Sequence, residues 1–489
     1  MSVDLKARRR YPRRDPRRDR RAQVALLPED ALRPARERRW SGKGGYREVL
    51  ALAAPLIVST GSLALQEFVD RMFLSWYSPA SIAAAMPAGI LYFTLLAVFL
   101  GTASYVSTFV AQYQGARQFD RIGPSLWQGL YVALAGGLLM VLLSPLAAPL
   151  FSLIGHPLEV QRQESAYFRV LCYGSFFPIA NTAVSAFYSG RGKPWPVMWA
   201  NLAATGANIF LNSLLIFGRW GLPELGIVGA AISTCVAGAV ALLVLLVLFL
   251  RPDFERLYRV RSAWKPDGAL LRRLLRFGLP SGVQFFIDIF GFTVFILLIG
   301  RVGTIELAAT NIAFNINALA FMPMIGLGTA ISILVGQYIG ERNVPLAERS
   351  VYSGAILCFA YMGLLSLAYV LVPGFFVRFF APRSSPEAFL PIRTIAVVLL
   401  RFVALYSLFD TMNIVFASAI KGAGDTRFVM IMILVLSVGV LIVPTYLALV
   451  HFRAGVYRAW IFVSAYIMLL GLGFLVRFLR GKWKTMSVI

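Results

Sequence analysis

The hexapeptide QYQGAR, Gln112–Arg117, returns as QYIGER, Gln337–Arg342, displaced by 225 positions (112 to 337). The same displacement carries Pro55 of LAAPLIV onto Pro280 of FGLPSGV. Further along, SGRG at Ser189–Gly192 matches KGAG at Lys421–Gly424, displaced by 232 (189 to 421). Self-similarity at a nearly constant offset marks a duplicated structural unit. The chain therefore reads as two copies of one unit, residues 46–250 and 272–480.

Composition says what the unit is made of. Over 489 residues the chain is 58% hydrophobic and 14% charged, with mean hydropathy +0.71, which excludes an ordinary soluble globule and specifies a polytopic membrane protein. Apolar segments centre near residues 62, 95, 138, 178, 206, 238, 290, 322, 362, 408, 438 and 468. Twelve crossings divided between two copies give six helices per lobe. Because six is even, the second copy re-enters with the orientation of the first, so the repeats are parallel and their pseudo-symmetry axis runs along the membrane normal. The expected fold is all-α, with twelve transmembrane helices in two six-helix lobes.

The net charge of +24 is unevenly placed. Residues 1–40 carry fourteen Lys or Arg against six Asp or Glu. The run RRRYPRRDPRRDRR has no hydrophobic periodicity, which predicts a disordered tail over 1–45 lying on an anionic membrane surface. A nucleic-acid arm is the rival reading and is set aside. A twin-Arg export signal is disfavoured, because the first apolar run begins near Val49 without a typical cleavage site. Residues 251–271 hold Arg251, Arg256, Arg259, Arg261 and Lys265 together with Pro252, Pro266 and Gly268, and form the expected inter-lobe linker. Loops at Arg117 and Arg121, Arg191 and Lys193, Arg342 and Arg349, and Lys421 and Arg427 fall on the linker's side, whereas the SPAS turn at 78–81 is uncharged. Arg378 and Arg383 make one opposite loop mildly basic. The positive-inside rule puts the linker, both termini and the 481–489 tail in the cytoplasm, and these loop cations read as topology signals rather than ligand sites.

Two carboxylates stand inside apolar segments of the second copy: Asp288 in LPSGVQFFIDIFGFTVFILLIG and Asp410 in IAVVLLRFVALYSLFDTMNIVFASAI. An Asp at a helix centre costs roughly 2.5–3.5 kcal/mol to insert, and such residues face a bundle interior or a wet cavity. They are the first candidates for an ion or proton site. Shifted by the repeat offsets, Asp288 falls on Leu63 and Asp410 on Pro178, so the pair is not duplicated. Arg401 lies nine residues before Asp410, half a turn out of phase, which points the two side chains in different directions. In the first copy Asp70 has Glu67 and Arg71 as neighbours, leaving open a local ion network beside a functional role. Cys172, Cys235 and Cys358 have no pairing or metal-type spacing, and His156 and His451 sit at segment ends without an acidic or thiol partner at ligand spacing. With no Ser/His/Asp set, metal cluster or phosphate loop, the chain does not read as an enzyme. Scattered single carboxylates in a pseudo-duplicated chain favour a carrier over a channel. Phe285, Phe286, Phe292, Phe321, Met322 and Met324 fit either an apolar helix face or a drug cavity, and Pro87, Pro178 and Pro323 fit either static or mobile bends.

The order and spacing of APLIVSTGSLALQEFVDRMF, QYQGAR, NIFLNSLLIFGRWGLPELGIVGAA and FDTMNIVFASAIKGAGDT resemble the multidrug and toxic compound extrusion (MATE) transporters, in their NorM-like branch, over residues 46–480. The resemblance implies a monomeric secondary antiporter of the bacterial inner membrane, exporting organic, often cationic compounds in exchange for Na⁺ or H⁺ by alternating access, with no cofactor besides the coupling ion. It implies a second-lobe cation site at Asp288, where the family usually has Glu, and at the Tyr406–Asp410 pair. Asn413 shares the face of Asp410, and Gln284 that of Asp288. It implies a first-lobe site at Asp70 with Asn208, Asn212 and Thr234, some branches having Asp where this chain has Asn212. Spacing alone leaves Asn208 and Asn212 open to a purely interhelical hydrogen-bonding role. The alternative function is a flippase or exporter of a lipid-linked or polysaccharide precursor, which Arg401 keeps in view.

Overall fold

A computed structural model describes residues 39–381, 387 and 389–489 of the chain. The Arg-rich run of the expected tail and Arg383 lie outside them. The helices are α1 Tyr46–Tyr77, α2 Pro79–Gly115, α3 Phe119–Leu153, α4 in two pieces (Leu158–Tyr173 and Phe176–Gly190), α5 Trp195–Leu215, and α6 Gly226–Phe249. The second half supplies α7 Gly268–Gly300, α8 Thr304–Gly340, α9 Val344–Leu371, α10 Leu390–Ala423, α11 Thr426–His451 and α12 Val456–Leu479. Ten of these are single helices long and apolar enough to cross a membrane, and the two pieces of α4 make an eleventh crossing. The twelfth is α5, whose 21 residues are diluted by Asn201, Thr205, Asn208 and Asn212. At ~1.5 Å per residue it still reaches about 30 Å.

Local chemistry sets the helix ends. Ser78 Oγ accepts the Ala80 N–H at 3.2 Å while Pro79 starts α2 without an N–H to satisfy. Asp267 Oδ1 accepts the Ala269 and Leu270 N–H groups, both at 3.0 Å, to open α7, and Asn343 Oδ1 accepts the Leu346 N–H at 3.3 Å to open α9. In α4 the chain bends by 42° at Gly174–Ser175. Pro178 has no N–H to return to the Gly174 carbonyl and its ring crowds that carbonyl, so the helix breaks one turn before it. The helices carrying Pro87 and Pro323 run on without a break. In α11 wider π-type turns, Ser437–Ile442 and Leu447–His451, flank the turn that holds Pro444.

Among the described residues, buried apolar side chains form two large cores and two small clusters, around Leu74 and Ile216 and around Ala204 and Ala237. One large core is built mainly from the first half around Phe109, Phe168, Phe187 and Phe249, and it also takes in Leu270 and Leu274 from the start of α7 and Val488. The other is built from the second half around Phe295, Trp460, Tyr466 and Phe474, and it also takes in Val49, Leu52 and Leu56 from the start of α1. The outer surface is apolar as well: Leu134, Leu138 and Leu142 form an exposed stripe on α3, as do Leu364, Leu367 and Leu371 on α9. Such stripes suit lipid, not water.

One expectation needs correcting, and one loop cation packs on the linker while keeping its place as a topology charge. The Arg191 guanidinium sits over the rings of Phe187, Phe254 and Tyr258 at 4.5, 4.6 and 4.4 Å, and Trp127 Nε1 donates to the Val260 carbonyl at 2.7 Å. Aromatic faces hold the linker helix Pro252–Tyr258 on the first half. His156 does have an acidic partner, since its Nδ1 lies 2.7 Å from Oε1 of buried Glu164, eight residues on. Gly155, with φ at +81°, turns the chain back so that His156 meets the following helix, a contact invisible to sequence spacing.

The repeated motifs meet across the two halves. Gln112 Nε2 at the end of α2 donates to the Gly422 carbonyl at 3.0 Å, and Gln337 Nε2 at the end of α8 donates to the Gly190 carbonyl at 2.8 Å. Donors and acceptors are thus the repeat equivalents of one another, forming a reciprocal clasp. Gly115 and Gly340 make it possible: a Cβ on Gly115 would overlap the Gln337 carbonyl, and one on Gly340 would overlap the Gln112 carbonyl. The C-terminus closes over one arm, with Ser487 Oγ and the Val488 N–H each donating to Gln112 Oε1 at 2.8 Å.

Gln112→Leu leaves the Gly422 carbonyl and the Val488 N–H unpaired, which costs about 1–3 kcal/mol. We expect a lower thermal unfolding midpoint of the detergent-purified protein, a smaller drop for the half-buried Gln337 in Gln337→Leu, and a larger one for Gly115→Ala or Gly340→Ala. Equal midpoints for all four and the parent would contradict the clasp.

Candidate functional site

Polar residues on α1 recur at helical spacing, Ser59, Ser62, Gln66 and Asp70, and all are buried. On α5 the set Asn201, Thr205, Asn208 and Asn212 does the same. The two stripes face each other. Asn201 Nδ2 donates to Ser59 Oγ at 2.5 Å and Thr205 Oγ1 to the Ser62 carbonyl at 3.1 Å, which aligns the helices so that Asn212 Nδ2 donates to Asp70 Oδ1. Asn212 Nδ2 also donates to Asn208 Oδ1 at 3.0 Å, and Thr234 Oγ1 of α6 reaches Asp70 Oδ2 at 3.4 Å. The four residues expected for a first-half site are therefore gathered in one place. The competing network is elsewhere: Glu67 and Arg71 pair at 3.8 Å on the exposed face of α1. Asn212 Oδ1 and Asn208 Nδ2 are buried without a hydrogen-bond partner. A buried lone acceptor beside a carboxylate is what an oxygen-coordinated cation would use.

The second-half site is built on α7, α10 and α12. Gln284 Nε2 donates to Asp288 Oδ2 at 2.9 Å, and Asn413 Nδ2 donates to Asp410 Oδ1 at 3.1 Å, each within its own helix turn as the spacing required. Asp288 and Asp410 lie close enough to feel each other's charge, and Tyr406 is buried beside Asp410. Arg401 is exposed, on the side of α10 away from buried Asp410, and pairs with neither carboxylate. Met324 is packed in the second core and Phe292 against it, whereas Phe285 crosses between halves, edge-on to Phe93 of α2 with centroids 5.8 Å apart.

Two residues at this site were not among the expected ones. Tyr466 of α12 turns its phenol toward Asp288, with nothing in its apolar sequence surroundings to distinguish it. Lys421 Nζ donates to Gln284 Oε1 at 2.9 Å. Its signal was present but read otherwise, as a topology charge in the KGAG motif. Among the described residues no Lys, Arg or His side chain lies within 4.0 Å of the carboxylate oxygens of Asp70, Asp288 or Asp410. No group of three or more His, Cys, Asp or Glu that could hold a metal occurs among them.

The MatE family model matches the chain twice, over residues 55–214 and 280–447, once in each copy of the repeat. The chain is a NorM-like member of the MatE family. It is 31% identical over 389 residues to the probable multidrug resistance protein NorM of Pseudomonas putida, covering 78% of this chain and 82% of that one. It is 27% identical over 448 residues to the probable NorM of Thermotoga maritima, covering 91% and 94%. Its fold matches a multidrug resistance MATE family transporter of the MOP superfamily solved in an outward-facing conformation, at TM-score 0.81 and 21% identity, covering 90% and 97%. It also matches a MOP superfamily transporter from Pyrococcus furiosus at TM-score 0.79 and 21% identity, covering 89% and 95%. This MatE protein is thus a multi-pass helical membrane transporter, as its apolar helices also require.

Replacing Asn212 by Leu removes the donor held by the Asp70 carboxylate, a hydrogen bond to a charged group worth about 1.5–3 kcal/mol. Asn315, which is exposed and donates only to its own helix at Asn311, is the control: Asn315→Leu is expected within about 0.5 kcal/mol of the parent. Thermal unfolding in detergent should separate the two, and equal stability would mean Asn212 does not hold Asp70.

Proposed function

We propose that this MatE protein is a secondary multidrug antiporter that exports organic, mainly cationic compounds in exchange for Na⁺ or H⁺, with Asp70 and the Asp288–Asp410 pair as its coupling sites. The observation that carries the reading is that three carboxylates inside the bundle, buried Asp70 in the first half and buried Asp410 and half-buried Asp288 in the second, are held by amides and hydroxyls with no cation in contact. Such a carboxylate in a dry bundle needs a positive charge, and a proton, Na⁺ or a cationic substrate each supply one. Occupancy by one excludes the others, and exclusion couples the fluxes. One charge entering across 100 mV is worth about 2.3 kcal/mol, enough to drive export against a substantial gradient.

The first-half site, with one carboxylate and the amide and hydroxyl oxygens of Asn208, Asn212 and Thr234, suits a hard monovalent cation. In the second half Tyr406, Gln284 and Asn413 complete the set around the two aspartates. The NorM relatives are described as multidrug resistance proteins, which supports the substrate class. The basic end of the molecule, where the linker and the clasp lie, faces the cytoplasm of a bacterial inner membrane by the positive-inside rule. The clasp holds the two halves together at that end. The protein acts as a monomer.

Dye efflux from cells expressing Asp288→Asn or Asp410→Asn is expected to fall to the level of cells lacking the protein, and full efflux in both variants would refute the assignment. In vesicles an imposed Na⁺ gradient or, separately, an imposed pH gradient should drive export of the same dye. Failure of both gradients would also refute it.

A further inference from the structure

Lys421 joins two systems that the duplication alone would have kept apart. Its ammonium donates to Gln284 Oε1 at 2.9 Å, and the other end of that amide donates to Asp288 Oδ2 at 2.9 Å, so the cation is linked to the carboxylate through one side chain. Its backbone is held by the first half: Tyr105 Oη donates to the Lys421 carbonyl at 2.8 Å, and Gln112 donates to the next carbonyl, that of Gly422, at 3.0 Å. Lys421 and Asp410 are eleven residues apart on α10, three helical turns, and so share a face.

The first copy lacks this arrangement. Where the second has Lys421 the first has Ser189, whose Oγ donates to its own helix at the Ser185 carbonyl, 2.9 Å away. Where the second has Asp288 and Asp410 the first has Leu63 and Pro178. The cation and both carboxylates are therefore all confined to the second copy. A lysine suits this place: its charge sits on a flexible stem that can withdraw, whereas the planar arginine fork would hold on in fixed geometry.

We propose that Lys421 is the resident counter-cation of the Asp288–Asp410 site. Through Gln284 its ammonium offsets the carboxylate charge while no transported cation is bound, and an arriving Na⁺ or H⁺ displaces it. Its release from Gln284 frees the end of α10 from α7, and that end carries the carbonyls that α2 holds in the clasp. Ion occupancy and opening at the basic end are thereby linked through one residue. The inference rests on the coupling role given above to Asp288 and Asp410.

The test is dye export from proteoliposomes driven by the cation gradient, Na⁺ or H⁺, that drives the parent protein, with half-saturating ion concentration and maximal rate read separately. Lys421→Met removes the competitor, so half-saturation should move to about tenfold lower ion concentration while the maximal rate falls. A lysine that merely stabilises the fold would lower the rate without tightening ion binding. Lys421→Arg keeps the charge in a fork that withdraws less readily, so half-saturation should move to higher ion concentration, opposite to the neutral variants. Lys421→Gln keeps the hydrogen bond without the charge, should follow Lys421→Met, and replaces it if that variant does not fold. Unchanged or weaker ion binding in the neutral variants overturns the counter-cation role. If Asp288→Asn still abolishes ion-driven export, the coupling assignment survives that outcome; if Asp288→Asn leaves it intact, the coupling assignment itself has failed.

Discussion

The structure depends on the crossing of α2 and α8, where Gly115 and Gly340 let each helix end approach the backbone of the other. Only at that separation can Gln112 reach the Gly422 carbonyl and Gln337 the Gly190 carbonyl. These bonds lie between the halves, where apolar side chains also meet: Val49, Leu52 and Leu56 of α1 enter the second core, and Leu270 and Leu274 of α7 enter the first. In a bilayer there is little hydrophobic drive for helix association, so close packing over small residues and interhelical hydrogen bonds carry the specificity of the join. The two halves are shut at one end by four motifs that the sequence repeats in pairs.

On that shared frame the halves differ in chemistry. The first aligns α1 and α5 by a ladder of Ser, Thr and Asn side chains that ends at Asp70. The second concentrates charge: Asp288, Asp410 and Lys421 come together from α7 and α10, with Tyr466 from α12. The two copies share a scaffold, and where the first has Leu63, Pro178 and Ser189 the second has the three charges Asp288, Asp410 and Lys421. A buried charge is retained against its insertion cost only where it is satisfied, which is why amides stand on the same face as each carboxylate.

Much of this was legible in the chain. The offset of QYQGAR to QYIGER gave the two copies, the apolar segments gave twelve helices, and intrahelical spacing placed Gln284 with Asp288 and Asn413 with Asp410. Asp70, Asn208, Asn212 and Thr234 were reached through resemblance to the family, although the 59–62–66–70 and 201–205–208–212 stripes carried the same message in the residues themselves. What failed were contacts between segments. Arg191 and Lys421 were counted as loop charges because topology explains most cations at helix ends, and His156 was left without its Glu164 partner because a turn, not a helical period, brings them together.

Sequence by itself determined what each helix demands: an apolar span, a capped end, a face on which a carboxylate and its amide coincide. These follow from the 3.6-residue period and from the cost of polar groups in lipid, both of which act locally along the chain. Tertiary structure alone decided which faces meet. Whether Gln337 finds Gly190, whether Lys421 turns toward α7, and whether Tyr466 looks at Asp288 depend on the rotation and depth of separate helices. Those are fixed by packing of side chains far apart in sequence, and the period of a single helix carries no record of them.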